Sequence, residues 1–126
     1  MNRERALKVV LLLVGLLFAA GIYPIVTILS GRDKSEYGDA MMLSLYVTLG
    51  ILLLNAVGDP SAHRSLIAFA AWSSFAHGAV MTVMALRDPS ERGLLVGVAV
   101  LVVIGVTLIV LAPAKQSVEE ISVAGA

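Results

Sequence analysis

Four long apolar stretches, separated by short polar segments, dominate the pattern of the chain. None of them contains Asp, Glu, Lys or Arg, and they run over residues 9–29, 40–57, 65–86 and 94–112. A helix that crosses the hydrocarbon of a bilayer needs roughly 20 mostly apolar residues, and each stretch comes close to that length. The pattern therefore predicts four membrane-spanning segments, at about residues 7–29, 40–57, 60–86 and 93–112.

These segments are predicted to be helices. A chain in hydrocarbon must pair its backbone amides internally, which leaves only helices and closed barrels. Barrel strands alternate apolar and polar residues, whereas residues 9–13 and 98–103 are uniformly apolar. The fold class is therefore all-α, an integral membrane protein.

The later connectors are short, which forces neighbouring helices to lie antiparallel. We expect one domain over residues 1–126, an up-down-up-down four-helix bundle with a polar, disordered tail over 113–126. Asp59 and Asp88 each precede a proline. An Asp side chain can cap a helix start and a proline there has no N–H to leave unpaired, so both turns are interpreted as helix starts.

Basic residues near the helix ends predict the orientation. Three of them precede the first helix, which usually dominates orientation, and we expect both termini in the cytoplasm. The basic residues of that side are Arg3, Arg5, Lys8, Arg64 and Lys115, and those of the other side are Arg32, Lys34, Arg87 and Arg92. The expected location is the bacterial inner membrane. An alternative is that the first apolar run, up to the small residues 19–21, is a cleaved signal peptide.

Composition agrees with a membrane location and narrows the chemistry. Hydrophobic residues make up 59% of the 126 residues and charged residues 14%, against about 45–50% and about 25% in soluble domains. Nine basic and nine acidic residues leave no net charge, which removes the electrostatic basis for nucleic-acid binding. The chain has no cysteine, which excludes disulfides, thiolate metal sites and a cysteine nucleophile.

His77 is the one histidine or charged residue within the four apolar stretches. Ionisable groups inside a membrane are costly and mark functional sites by default. The competing interpretation is structural: the imidazole would bond to Ser73, Ser74 or a polar group of another helix and hold the bundle together. No carboxylate accompanies His77 at this depth, so we predict no metal site and no catalytic residue.

A polar stripe on the second helix is the expected partner surface for His77. Ser44, Thr48 and Asn55 are spaced by four and seven residues, which places them on one helix face. We expect this stripe to face protein, either as packing contacts or as the wall of a small cavity. Small residues predict further helix contacts, within the bundle or between copies, at Gly15 with Ala19 and at Gly97 with Gly105. Pro24 is expected to kink the first helix.

His63 precedes His77 by 14 residues, which on one helix would place both imidazoles on the same face. This spacing is similar to that of membrane cytochromes with two b-type haems, although four ligands would then require a homodimer. The chain is also similar in length and helix number to small four-helix drug exporters. Those exporters use a carboxylate within the first helix, and here His77 would have to carry the proton.

The region from residue 37 to residue 84 resembles an uncharacterised bacterial family of small four-helix membrane proteins, and more broadly the DoxX-like group. The residues that carry the resemblance are Met41, Met42, residues 46–50, Asp59, Pro60, residues 63–67, Ser73, Ser74 and His77. Some DoxX-like proteins are implicated as membrane subunits of quinone-linked oxidoreductases, so the resemblance implies a partner enzyme and a quinone near the polar stripe.

The sequence thus predicts an accessory or assembly subunit of the membrane without intrinsic catalysis, without a resident cofactor, and in contact with lipid and with a second copy or a membrane partner protein. Two alternatives stay open. One is a membrane subunit of a quinone- or haem-linked redox system that uses His77 and His63, and the other is a small proton-coupled transporter.

Overall fold

The computed structural model describes residues 2–113, and helices joined by short turns make up this part of the chain. Its α-helices are α1 (Arg3–Ala19), α2 (Ile22–Ser30), α3 (Tyr37–Ala56), α4 (Arg64–Arg87) and α5 (Leu94–Leu111). Short 3₁₀ turns precede the last three helices, at Lys34–Glu36, Pro60–His63 and Pro89–Glu91. Four helical segments, with α1 and α2 counted as one, are long and apolar enough to cross a membrane. The predicted polar tail lies, apart from Pro113, outside the described residues.

The first apolar stretch forms two helices because the hydrogen-bond ladder changes at Ala20 and Gly21. Pro24 has no N–H with which to bond the carbonyl oxygen of Ala20. That oxygen instead accepts from the N–H of Tyr23 at 3.1 Å, and Gly21 donates to the carbonyl oxygen of Phe18 at 3.1 Å. The kink predicted for the first helix therefore falls one turn before Pro24, the residue that causes it.

Helices α1 and α3 touch through their backbones at Gly15 and Gly50. A methyl group on Gly50 would lie 2.6 Å from the backbone nitrogen of Ala19 and 2.7 Å from the carbonyl oxygen of Gly15. Neither distance leaves room for a carbon atom, so the helices cross at this point only because both residues are glycine. The predicted small-residue spacing of Gly15 and Ala19 thus serves a contact within the chain.

Helices α4 and α5 form a second close pair. A methyl group on Gly105 would lie 2.6 Å from the ring of Phe75 and 3.1 Å from the carbonyl oxygen of Ala71. The two helix pairs then share one apolar core, to which α2 contributes no buried residue. The largest side chains of that core are Leu7, Leu11, Phe18, Leu49, Leu53, Ile67, Leu101, Ile104 and Leu108.

Two hydrogen bonds connect helix ends at one end of the bundle. Arg3, at the start of α1, donates to the carbonyl oxygen of Ala112 at 2.7 Å, and Arg64, at the start of α4, donates to that of Pro113 at 3.0 Å. Carbonyl groups after the last turn of a helix lack partners within it, so both guanidinium groups satisfy the end of α5.

The two Asp-Pro turns differ from each other in the structure. Asp88 accepts hydrogen bonds from the hydroxyl and the backbone N–H of Ser90 at 2.7 Å and 3.0 Å, as a capping residue does. These bonds hold the pKa of the Asp88 carboxyl below its ordinary value. The side chain of Asp59 makes no capping bond, so the capping prediction is wrong there. At the start of α4, the carbonyl oxygen of Asp59 instead pairs with Nδ1 of the His63 ring at 2.9 Å.

Large apolar side chains cover the outside of the bundle. Met41 and Leu45 on α3 are each 72% exposed, Trp72 on α4 is 64% exposed and Val96 on α5 is 73% exposed. An outer surface of this kind is far more apolar than that of a soluble monomer and matches a hydrocarbon environment.

The glycine contact between α1 and α3 can be tested by a pair of alanine substitutions in α3. Gly50→Ala forces the backbones apart, whereas Gly38→Ala meets no atom within 4 Å. We expect Gly50→Ala to be less stable than Gly38→Ala by about 1–3 kcal/mol, the usual cost of overpacking. Thermal unfolding of both variants in mild detergent measures the difference, and equal midpoints would show that the crossing is not tightly packed.

Candidate functional site

Three aromatic rings form a row that links α1, α3 and α4. The ring centroids of Phe18 and Tyr46 are 5.1 Å apart with planes at 85°, and those of Tyr46 and His77 are 5.2 Å apart with planes at 71°. Both pairs have the edge-to-face geometry that aromatic quadrupoles favour. We call Phe18, Tyr46 and His77 the aromatic row.

The glycine crossing explains why the row forms. Phe18 lies about one turn after Gly15 on α1, and Tyr46 lies about one turn before Gly50 on α3. Because the two backbones touch at the glycines, the rings one turn away face each other. Tyr46 is half-buried between Phe18 and His77, and it is the site residue that reasoning about ionisable groups alone did not single out.

A cavity of about 290 Å³ lies against the aromatic row. Tyr46 and His77 are the lining residues with polar side-chain groups, and the remaining lining is apolar: Leu17, Phe18, Gly21, Met42, Leu43, Met81, Gly97, Val100 and Leu101. A second cavity, of about 400 Å³, is lined by apolar residues of α1 and α5 only: Leu13, Val14, Leu17, Ala99, Val100, Val103 and Ile104. Since Leu17 and Val100 line both, the two cavities adjoin between α1 and α5.

His77 does not bond to the serines one turn before it. The hydroxyls of Ser73 and Ser74 donate to the carbonyl oxygen of Ala70, at 3.2 Å and 2.7 Å. Such bonds within one helix satisfy a hydroxyl without a partner elsewhere. The expected serine contact is therefore wrong, and His77 connects α4 to α3 through the ring of Tyr46 instead.

The polar stripe lies on the outside of the chain. Ser44, Thr48 and Asn55 are all exposed, so the stripe does not face another helix of the same chain. The hydroxyl of Ser44 donates to the carbonyl oxygen of Met41 at 2.6 Å, and that of Thr48 donates to the carbonyl oxygen of Ser44 at 2.9 Å. Their own helix therefore satisfies the hydroxyls of Ser44 and Thr48, and the structure does not bring the stripe to His77.

His63 and His77 do not share one α-helix. His63 ends the 3₁₀ turn before α4, with φ −122° and ψ 32°, and its Nδ1 pairs with the carbonyl oxygen of Asp59 at 2.9 Å. His63 thus caps α4 and does not lie within it. Among the described residues, no group of three His, Asp or Glu side chains is placed to hold a metal ion.

A family model matches residues 3–122, nearly the whole chain. The chain belongs to the DUF6632 family. The family is described as one of unknown function, which agrees with the expected uncharacterised family, while no link to DoxX-like proteins is shown. No curated protein and no solved structure matches the chain.

The role of the His77 ring can be tested by comparing two substitutions at that position. His77→Phe keeps an aromatic edge against Tyr46, and we expect it to cost at most about 1 kcal/mol of stability. His77→Ala removes the ring and enlarges the cavity, and we expect it to cost about 1–3 kcal/mol more. Thermal unfolding in mild detergent measures both, with Val80→Ala, at an exposed position of α4, as the control outside the row. Equal losses for Phe and Ala would contradict a role for the aromatic contact.

Proposed function

We propose that this DUF6632 protein crosses the bacterial inner membrane four times in up-down-up-down order, with both termini in the cytoplasm. The apolar outer surface and the polar contacts at one end support this proposal. Arg3 and Arg64 begin α1 and α4, and both bond to the end of α5, so these three helix ends share one face of the bundle. Up-down order requires these three helix ends to lie on the same side of the membrane. The basic residues near them favour the cytoplasmic side.

We infer that the protein acts by binding, as an accessory or assembly subunit without its own catalysis. The observation that carries this is the position of Tyr46 and His77, which both line an otherwise apolar cavity open to the side of the bundle. The other polar side chains within the helices do not supply reactive groups at that cavity, because hydroxyls such as those of Ser74, Thr82 and Thr107 donate to their own helix.

The outer surface of α4 supports association with a protein. Trp72 is 64% exposed and its ring meets Phe75 at 5.6 Å between centroids. Trp usually prefers the membrane interface, where its N–H finds a partner, yet this residue lies well inside the predicted span. A second copy of the chain or a membrane partner would cover it.

A second candidate function is that of a membrane subunit in a redox system that uses His77. The same cavity favours it, because an imidazole in an apolar wall can bind a haem iron or a quinone oxygen. His63 belongs to a separate, polar end of α4, so this alternative rests on His77.

An absorption spectrum with organic extraction separates the two functions. The protein is purified in mild detergent from haem-sufficient cells, beside His77→Ala. An accessory subunit is expected to show no Soret band and no stoichiometric quinone. A Soret band or tightly bound quinone that disappears in His77→Ala, while the variant stays folded, would overturn the accessory function in favour of electron transfer.

The membrane topology is testable because the chain has no native cysteine. Ser35→Cys and Ser61→Cys introduce one thiol each into the turns before α3 and α4. With a membrane-impermeant maleimide we expect Ser35→Cys to react in spheroplasts and Ser61→Cys to react only after lysis. Labelling of both from the same side would contradict up-down order, and the reverse pattern would invert the orientation.

A further inference from the structure

The two cavities between α1 and α5 form one crevice. They share Leu17 and Val100, and together they extend from apolar side chains around Leu13 to the aromatic row. The apolar part measures about 400 Å³ and the aromatic part about 290 Å³. Small-molecule sites begin at about 300 Å³, so the apolar part alone and the two parts together reach that size.

The aromatic part has features that suit a flat ring. Three aromatic rings line it, and Gly21 and Gly97 bring backbone rather than side chains to its wall. Met42 and Met81 also line it, and thioether side chains adapt their shape and make favourable contacts with aromatic rings.

Hydrogen-bonding groups are restricted to one end of the crevice. Tyr46 provides a hydroxyl and His77 an imidazole, and each can donate to an oxygen atom of a ligand. The other lining side chains are apolar throughout the second cavity. A ligand that fills both parts would therefore carry its oxygen atoms on the ring and a hydrocarbon chain away from it.

A charged phospholipid headgroup does not fit this end of the crevice. Tyr46 and His77 lie near the middle of α3 and α4, away from the polar end where Arg3 and Arg64 bond. Moving a charged group there would cost its hydration without a paired charge in return. A neutral ring with carbonyl oxygens meets no such cost.

We propose that the crevice between α1 and α5 is a binding site for a lipid-soluble molecule with a neutral carbonyl-bearing ring and a hydrocarbon tail. The ring lies against Phe18, Tyr46 and His77, and the tail follows α1 and α5 toward Leu13 and Ile104. The proposal rests on the membrane location of the proposed function and not on the choice between an accessory and a redox subunit. Because the crevice is open at its side, the molecule exchanges with the surrounding lipid.

The test measures binding of decylubiquinone, a carbonyl-bearing ring with a ten-carbon tail, to the protein in phosphatidylcholine nanodiscs. The amount retained by protein-bearing discs is compared with that in empty discs. We expect saturable binding that approaches one molecule per chain, and decanol, which has a tail without a ring, should not compete. Absence of saturable binding, or equal competition by decanol, would overturn the proposal.

Two glycines of the α5 region give a matched pair of variants. Gly97→Leu places a side chain in the aromatic part, where the added Cβ would lie 2.8 Å from the mobile end of Met81. Gly93→Leu adds the same side chain one turn earlier, where no atom lies within 4 Å. We expect Gly97→Leu to abolish saturable binding and Gly93→Leu to retain it. Equal binding by both folded variants would place the ligand elsewhere.

Tyr46→Phe keeps the aromatic row and removes one hydroxyl, so it tests the site even where Gly97→Leu fails to fold. We expect the affinity for decylubiquinone to fall about 3- to 10-fold, the usual effect of one lost hydrogen bond. Tyr23→Phe removes a hydroxyl outside the crevice and should leave the affinity unchanged. Unchanged affinity in both variants would remove Tyr46 from the site and overturn the assignment.

Failure of this site can be told apart from failure of the proposed topology. If decylubiquinone does not bind but Ser35→Cys and Ser61→Cys label as expected, only the site is overturned. If the two cysteines do not label as expected, the membrane topology on which the site rests is overturned.

Discussion

The backbone contact between Gly15 and Gly50 is the constraint on which the arrangement of the site depends. Helices in a hydrocarbon environment gain little from burying apolar surface, so close packing must supply much of their attraction. Here the atoms of two backbones come so near that even one methyl group would not fit. That contact fixes the crossing of α1 and α3 and, with it, the rings of Phe18 and Tyr46 one turn away.

The crevice follows from the same packing. α1 lies close along α3 and is interrupted at Ala20 and Gly21, while its other side meets α5 less tightly. The space left between α1 and α5 is lined by residues such as Leu17 and Val100 that belong to both cavities. A tight contact on one side of α1 and a gap on the other thus give the DUF6632 protein both its stability and its candidate ligand site.

Polar side chains within the helices behave in two different ways. Hydroxyls such as those of Thr48 and Ser74 bond to the carbonyl groups of their own helix and can lie either inside or outside the bundle. The rings of Tyr46 and His77 instead meet each other across two helices. A stripe of small hydroxyl residues is therefore a poor guide to which face is buried, whereas large rings at depth are a better one.

The sequence by itself determined the helical class, the four apolar segments, the capping role of Asp88 and the small-residue helix contact at Gly15 and Ala19. Each of these features depends on hydrogen bonding and composition along one segment. Only the tertiary structure decided that Gly50 meets Gly15, that Tyr46 rather than the Ser44 stripe contacts His77, and that His63 stands outside α4. Helical spacing gives the angular positions of residues on one helix, but not which face turns toward which neighbour. That choice is made by contacts between residues distant in the chain, where close packing permits some pairs of faces and excludes others.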